Sequence, residues 1–440
     1  MVDSFDPHIS YQSVGHARDV PGYISRSVLF DSNMGSKKEI TTPIKAINAK
    51  YLNKRTLPLI EGVQEAKIFE VPTYIYRKET WDVIDNLIEG ILNDTNRFLK
   101  VLNLHPNIYN CLVDSYVVPS IVFSRNPFKE RIYINKSGTA TRYPALNKDH
   151  FEIFLHNLYS YSRGIILVPD IRFGNIPKLG PRIQPSEYIE AVSFFAEILT
   201  YKNNLPIFVP IQPGISNRSI KEIVSFYKKM NYSNIWINFN AGEVYGKNLA
   251  GIRAILRELD KSFGRDNYFI YYSHMKKELS PSIKDLQVPS SDMLSQFLCG
   301  DVIGANREPI RIGNDQKENY FEKRGFSSKE EYTKALKLHK SRVFNPRTYY
   351  YHIISEKYNP SIGQYTSEEL INNQDINSII DNYVKFREVE NLKGLYESGK
   401  KIKNHLKEKQ MFLDNDNIFN EIISSQETRS RSLFDFDQQM

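Results

Sequence analysis

Five apolar stretches of this chain end in polar residues whose types could do chemistry together. Ile165–Val168 leads through Pro169 to Asp170. Ile207–Ile211 ends in Gln212, followed by Pro213 and Gly214. The stretch from Ile235 runs into Asn238, Asn240, Ala241, Gly242 and Glu243. The stretch from Tyr268 ends in Ser273 and His274, and the last runs from Asp301 to Arg307. A carboxylate beside an amide offers acceptors and donors in one plane, which suits a purine-like edge. Each residue alone fits a helix cap or a loop hydrogen bond, but the repetition at five successive stretches favours one shared site. His274 is a candidate proton carrier, with a satisfied loop histidine as the alternative.

Such ends need elements to position them. From residue 149 the chain alternates amphipathic helices with continuous apolar runs: helices over 149–162, 186–202, 217–230 and 247–263, strands at 165–170, 207–212, 235–240, 268–273 and 301–305. A helix around Asp292–Leu298 precedes the last run. Unbroken apolar strands between helices indicate parallel βαβ units. Neither a dinucleotide-binding GxGxxG nor a P-loop is present, which tilts the choice from a doubly wound sheet to a TIM-type (β/α)8 barrel. In such a barrel the functional groups sit at the C-terminal strand ends. Upstream, residues 1–40 read as loop-rich, 79–101 as a helix presenting Trp81, Ile84, Leu87 and Ile91, and Lys67–Val71 and Tyr116–Val122 as strands. Asn217 is the expected cap of the helix over 217–230.

The composition excludes several classes. The 440 residues are 41% hydrophobic and 25% charged, ordinary for a chain with a buried core. No apolar run reaches the roughly 18 residues of a membrane span, and the polar, acid-bearing N-terminus is unlike a signal or transit peptide. With only Cys111 and Cys299, neither a disulfide scaffold nor a Cys-rich zinc site is expected, and a reducing cytoplasm fits. The net charge of +7 is compatible with a polyanion partner.

The middle of the chain resembles the tRNA-guanine transglycosylase superfamily over about 180 residues. Phe208-Val209-Pro210-Ile211-Gln212-Pro213-Gly214 is similar to that family's IVQGG strand end. IWINFNAGEVYG at 235–246 is similar to its glycine-rich base-contacting loop. Ile165–Asp170 resembles the strand that ends in a base-recognising Asp, and residues 131–158 resemble the hairpin and helix before it. The resemblance implies that Asp170 and Gln212 read the base, with Asn240 and Gly242 lining the pocket. It also implies exchange of guanine for a 7-deazaguanine base such as preQ0, through a carboxylate that attacks the sugar C1′ while a second group moves a proton. The target nucleotide leaves its stack to reach the pocket.

The chain departs from that pattern at the catalytic stretches. The family's Asp-Met-Phe-Asp aligns with Asp301-Val302-Ile303-Gly304, so Asp301 matches the first Asp and Gly304 falls at the nucleophile. An alignment on Asp292-Met293-Leu294-Ser295 also lacks the second Asp. The second catalytic Asp falls near Phe123–Phe128, where there is none; Asp114 is the nearest upstream carboxylate. The zinc-binding cysteines are missing. Asp301 is therefore the expected nucleophile, with Asp170 and His274 beside it, and neither cofactor nor metal is expected. The divergence favours the DNA-modifying branch over the tRNA enzymes.

Residues 312–425 form an expected helical, basic extension to a barrel over 1–311, and 426–440 a tail with Leu433, Phe434 and Phe436 as a possible docking motif. Helices are expected near 328–341, 367–373, 376–396 and 398–412. Lys334, Lys337, Lys340, Arg342 and Arg347 occur with no acid among them and lead into Tyr349, Tyr350 and Tyr351. Cations beside aromatics suit a phosphate backbone and unstacked bases, so Lys334, Lys337, Lys340, Arg342, Arg347 and Tyr349 are the expected nucleic-acid contacts. The alternatives are a non-catalytic paralogue that binds nucleic acid or partners an active transglycosylase subunit, and a TIM-barrel enzyme acting on a phosphorylated small molecule. A homodimer is a further expectation.

Overall fold

A computed structural model describes residues 8–30, 38–61, 68–75, 81, 84, 95–112, 114–134, 140–173, 183–201, 205–279, 284–307, 321–322, 325–355, 358–360 and 365–424. Leu87, Ile91, the expected boundary at 311 and the tail from 426 lie outside these residues.

The protein is a mixed α/β structure around parallel strands. An N-terminal antiparallel sheet comprises β1 (Ile9–His16), β2 (Ile24–Phe30) and β3 (Lys38–Thr42). Next come β4 (Ile44–Lys45), β5 (Ile47–Asn48), β6 (Ile68–Ile75) and β7 (Tyr116–Phe123). A hairpin of β8 (Arg131–Ile134) and β9 (Ala140–Tyr143) precedes a helix, Lys148–Tyr161. Then follow β10 (Ile166–Leu167), β11 (Asp170–Ile171), β12 (Ile207–Ile211), β13 (Asn234–Asn238) and β14 (Phe269–Ser273). After β15 (Gln287–Pro289) and β16 (Val302–Ile303), β17 (Val343–Asn345) and β18 (Tyr350–His352) form an antiparallel sheet with β15.

One parallel sheet runs β10-β12-β13-β14-β16-β4 and curls, and a second runs β11-β7-β6-β5. The helices Pro185–Tyr201, Asn217–Lys229 and Lys247–Phe263 connect successive strands of the larger sheet. Their boundaries agree with the sequence periodicity to within a residue. The cap differs: Ser216, not Asn217, caps the helix at 217–229, accepting from Ser219 N at 3.1 Å. The hydroxyl reaches the third amide of the first turn and satisfies it.

The strands are amphipathic along their length as well as across it. At their N-terminal ends, Ile44, Ile68, Tyr116, Ile165, Phe208, Trp236, Phe269 and Val302 pack into one apolar cluster with Ile9, Tyr11, Val28, Phe30 and Ile40. The expectation of loops over residues 1–40 is thereby corrected. Segments such as ISYQSVGH and ISRSVLF alternate, and the apolar alternate closes one end of the parallel strands. The region beyond 312 is also more than helix and loop. Its helix Gln374–Glu397 packs on β4, β5 and β17. Lys385 of that helix is fully buried between Asp292 at 2.9 Å and Asp381 at 2.8 Å. No helix among the described residues is long and apolar enough to cross a membrane.

Candidate functional site

At their C-terminal ends the parallel strands turn polar. Asp170 begins β11, Gln212 follows β12, Asn238 ends β13, and Ser273 and His274 lie at and after β14; Glu70 and Ser120 join them from within β6 and β7, and all are buried. In the strand register Asp170 faces Val122 and Asn238 faces Ser273.

Asp170 organises the first half of this layer. It is fully buried, and its carboxylate accepts four hydrogen bonds. Oδ1 accepts from Tyr188 OH and from its neighbour's amide, Ile171 N, each at 2.8 Å. Oδ2 accepts from Gln212 Nε2 at 2.8 Å and Asn238 Nδ2 at 2.5 Å. Burial pushes its carboxyl up to about 6, against the pull of these donors. Near neutral pH it is ionised and can only accept. Both amides must therefore turn their NH2 groups toward it and their carbonyl oxygens away. Gln212 Oε1 accepts from Phe173 N at 3.1 Å, and Asn238 Oδ1 from Asn240 N at 2.9 Å. Each oxygen keeps one lone pair.

Gln212, Asn238, Asn240 and Gly242 line one cavity of about 540 Å³, with Arg172, Ser216 and Asn248 on its walls. Gly242 is needed there: a Cβ would stand 2.6 Å from Asn248 Nδ2 and 2.9 Å from Phe239 O. Asn240 and Ala241 both have left-handed backbones (φ 50° and 64°), a conformation that costs an alanine about 1–2 kcal/mol. Ala241 N donates to His274 O at 2.7 Å, which holds this turn against the next strand end.

The second half of the layer centres on Glu70. Its Oε1 accepts from Ser120 Oγ at 2.5 Å, and Oε2 from Tyr271 OH at 3.0 Å and Ala305 N at 2.5 Å. Ser120 Oγ also lies 2.9 Å from His274 Nε2, while His274 Nε2 is 3.6 Å from Glu70 Oε1. Burial raises the Glu70 carboxyl to about 7. Burial, with Arg307 and Lys50 nearby, holds His274 well below its usual range, so its ring is neutral. The three residues form a hydroxyl-bridged relay that carries one proton near neutral pH.

Because Glu70 titrates near 4.5 unfolded and near 7 folded, its burial favours the folded state below pH 4.5, and that contribution is lost as pH rises through about 7. The Glu70→Gln variant mimics the neutral form. It is expected to gain stability relative to wild type between pH 4 and pH 8, measured by urea unfolding across that range. A difference that does not change with pH would show that the Glu70 pKa is unshifted.

Gly304 stands where the resemblance places a nucleophile. A Cβ there would meet Glu70 Oε2 at 2.2 Å, Tyr272 O at 2.5 Å and Ser273 Cβ at 2.7 Å. The Glu70 carboxylate thus occupies the space a side chain at 304 would need. Gly304→Ala is expected to destabilise the fold by about 1–3 kcal/mol through overpacking, read as a lowered thermal midpoint.

Asp301 does not join this layer, which corrects its expected convergence with Asp170 and Gln212. It precedes β16, at the opposite, N-terminal end of the strands. There it is fully buried, 2.9 Å from Arg26 Nε, and accepts from Ile270 N at 2.8 Å and Thr42 Oγ1 at 3.2 Å. The expected basic and aromatic surface is corrected in part. Lys334, Lys337, Lys340 and Arg347 are exposed. Arg342 is fully buried, paired with Glu278 at 3.1 Å and bonded to Asp285 O. Tyr349 is fully buried and donates to Glu388 at 2.7 Å, and Tyr351 donates to Asp292, so neither ring can stack on a base.

Glu70 and Ser120 complete the site, though sequence reasoning gave them no role in it, and Asn238, read only as one polar strand end among others, is bonded to Asp170. For Glu70 the available signal is an acid alone in the apolar run IFEVPTYI. Among the described residues no cluster of His, Cys, Asp and Glu could hold a metal ion. In comparison with known proteins, no family model matches the chain and no curated protein matches it.

Proposed function

We propose that the parallel strands form one (β/α)8 barrel and that it carries out base exchange on guanine in nucleic acid, inserting a 7-deazaguanine base such as preQ0. The barrel reading rests on two segments that pair on both sides. Residues 44–48 pair with β16 and β6, and residues 166–171 with β12 and β7.

The functional reading is carried by the Asp170 cluster. One ionised carboxylate turns two amide oxygens toward a cavity large enough for a nucleobase. Guanine and 7-deazaguanines present N1–H and the 2-amino group along one edge, and the remaining lone pairs of Gln212 and Asn238 complement those donors. Asn240 and the backbone at Gly242 close the side of the pocket. With Asp301 remote, Glu70 is the second carboxylate of the layer. In this proposal, once the target nucleotide has left its stack, the Glu70 proton passes through Ser120 to His274 and the freed carboxylate attacks C1′. The C1′–N9 bond breaks and guanine leaves with that proton, and the incoming deazaguanine gives up its N9 proton to the same relay as it displaces Glu70 from C1′. DNA is favoured over tRNA on the divergence of the catalytic stretches, with a cytoplasmic setting.

The test is nucleoside mass spectrometry of DNA and tRNA from cells with a 7-deazaguanine supply, with and without this protein. A new deazaguanine nucleoside in either pool supports exchange and identifies the substrate. If both pools stay unchanged, exchange is refuted.

The reading as a non-catalytic binding or partner subunit is favoured by one observation: Glu70 and Asp170 are both fully buried and hydrogen-bonded. It predicts guanine binding without turnover.

A further inference from the structure

Four residues from four strand ends meet above Glu70. Tyr74 lies four residues beyond Glu70 in β6, on the same face, and is half-buried. The Arg307 guanidinium lies over its ring, 3.7 Å from the centroid, and Arg172 Nη1 donates to its hydroxyl at 3.4 Å. Lys50 follows β5, and Arg307 follows β16. Residues 44–48 lie between β16 and β6, with Lys45 opposite Ile303 and Asn48 opposite Glu70, so Lys50 leaves the sheet between the strands that carry Arg307 and Tyr74.

All three cations are half-buried. Among the described residues the Lys50 ammonium has no hydrogen bond or ion pair, and Arg172 has no acid partner. Burial, then the charge of Arg307, lowers Lys50 to about 8, and the same two cations help to keep His274 neutral. The fold holds like charges together here at a cost that an anion would relieve. An Arg fork and an ammonium over an aromatic ring suit a tetrahedral oxyanion. Arg172 also lines the cavity that holds Gln212 and Asn238, so an anion here is joined to whatever fills that cavity.

We propose that Lys50, Arg172 and Arg307 form a phosphate site over Tyr74 and bind the phosphate attached to the nucleoside whose base occupies the Gln212–Asn238 pocket. The site's ligand is a nucleotide phosphate, whether in a free monophosphate or in a polynucleotide. The base half of this assignment rests on the proposed function; the phosphate half does not.

The test uses the full chain and the variants Lys50→Gln, Arg172→Gln and Arg307→Gln, each checked for wild-type thermal unfolding. The probes are guanosine, guanosine 5′-monophosphate and a short single-stranded oligonucleotide containing one guanine. Each substitution is expected to weaken phosphate-bearing probes roughly tenfold, and those at Lys50 and Arg307, which do not line the base cavity, are expected to leave guanosine binding unchanged. The salt dependence of oligonucleotide binding should fall by about one phosphate contact per variant. Weakening of both phosphate probes supports the site with a polynucleotide as the source; weakening of the monophosphate alone supports it with a free nucleotide. An Arg307→Lys variant, which keeps the charge and loses the fork, should fall between. If the variants bind both phosphate probes as wild type does, the site is overturned. Should wild type bind phosphate through Lys50 yet neither bind guanosine nor exchange bases, the proposed function falls and the phosphate site stands.

Discussion

Under the proposed function, Asp170→Leu is expected to weaken binding of the base sharply. The apolar side chain offers no acceptor to Gln212 Nε2 or Asn238 Nδ2, which both donate to Oδ2 of the native carboxylate, at 2.8 and 2.5 Å. Asn238 then has no carboxylate to hold its NH2 inward and Gln212 keeps only Ile171 O, so their oxygens are no longer aimed at the cavity. Losing two oriented acceptors corresponds to about 2–4 kcal/mol, or thirty- to a thousandfold in affinity for guanine or a 7-deazaguanine. Acid should act in the same direction but more weakly, because a neutral carboxyl accepts hydrogen bonds less strongly than a carboxylate. With the folded carboxyl near 6, wild-type affinity falls as pH drops below about 6, and the variant's residual binding does not follow it. Calorimetric titration between pH 5 and 8 tests both statements, and tight, pH-independent binding by the variant would remove Asp170 from recognition. Stability runs the other way. Asp170 titrates at 3.8 unfolded and about 6 folded, so its burial favours folding below pH 3.8 and loses that contribution as pH rises through about 6. The ionisation that orders the site therefore weakens the fold, by about 3 kcal/mol at most.

Asp301→Ala is expected to cost about 3–5 kcal/mol of stability, because it strands the fully buried Arg26 guanidinium. Thr42 and the amide of Ile270 lose their acceptor as well. Replacing both partners, as Arg26→Met with Asp301→Leu, should recover much of that loss, since no buried charge then lacks a partner. Guanidinium unfolding of the two single variants and the double variant measures the coupling. A well-folded Asp301→Ala protein that had lost only base exchange would return this residue to the chemistry.

The contrast between these two acids shows how far the sequence could be read. Asp170 and Asp301 both flank apolar runs, at 165–168 and 302–303, and nothing in composition separates them. Strand direction separates them: one follows its strand and the other precedes it. The helices and strands from 149 to 305 were legible because each is long and periodic. β4 and β5 have two residues each, too few for periodicity, and they take their place from neighbours on both sides. The triple tyrosine looked like a stacking surface because its context is basic. Its rings are instead claimed by Glu388, Asp414 and Asp292, acids 39 to 64 residues away. Arg342 is likewise claimed by Glu278. Glu70 and Ser120 were hidden by the apolar strands that carry them, and Lys50, Arg172 and Tyr74 matter only through a convergence that no local pattern encodes.

The N-terminal sheet also sets a timetable for synthesis. β2 needs Asp301 for its Arg26, and His16 bonds Asp266 across 250 positions. β4 pairs with β16, which is made some 258 residues later. A ribosome-bound chain emerging in order therefore presents Ile9, Tyr11, Val28, Phe30 and Ile40 with little to cover them until the last parallel strand has left the exit tunnel. Contacts this distant in sequence form slowly and leave apolar surface open while they wait. Nascent chains stalled before residue 303 should be bound by chaperones through this first sheet, and chains that extend well past it should be released.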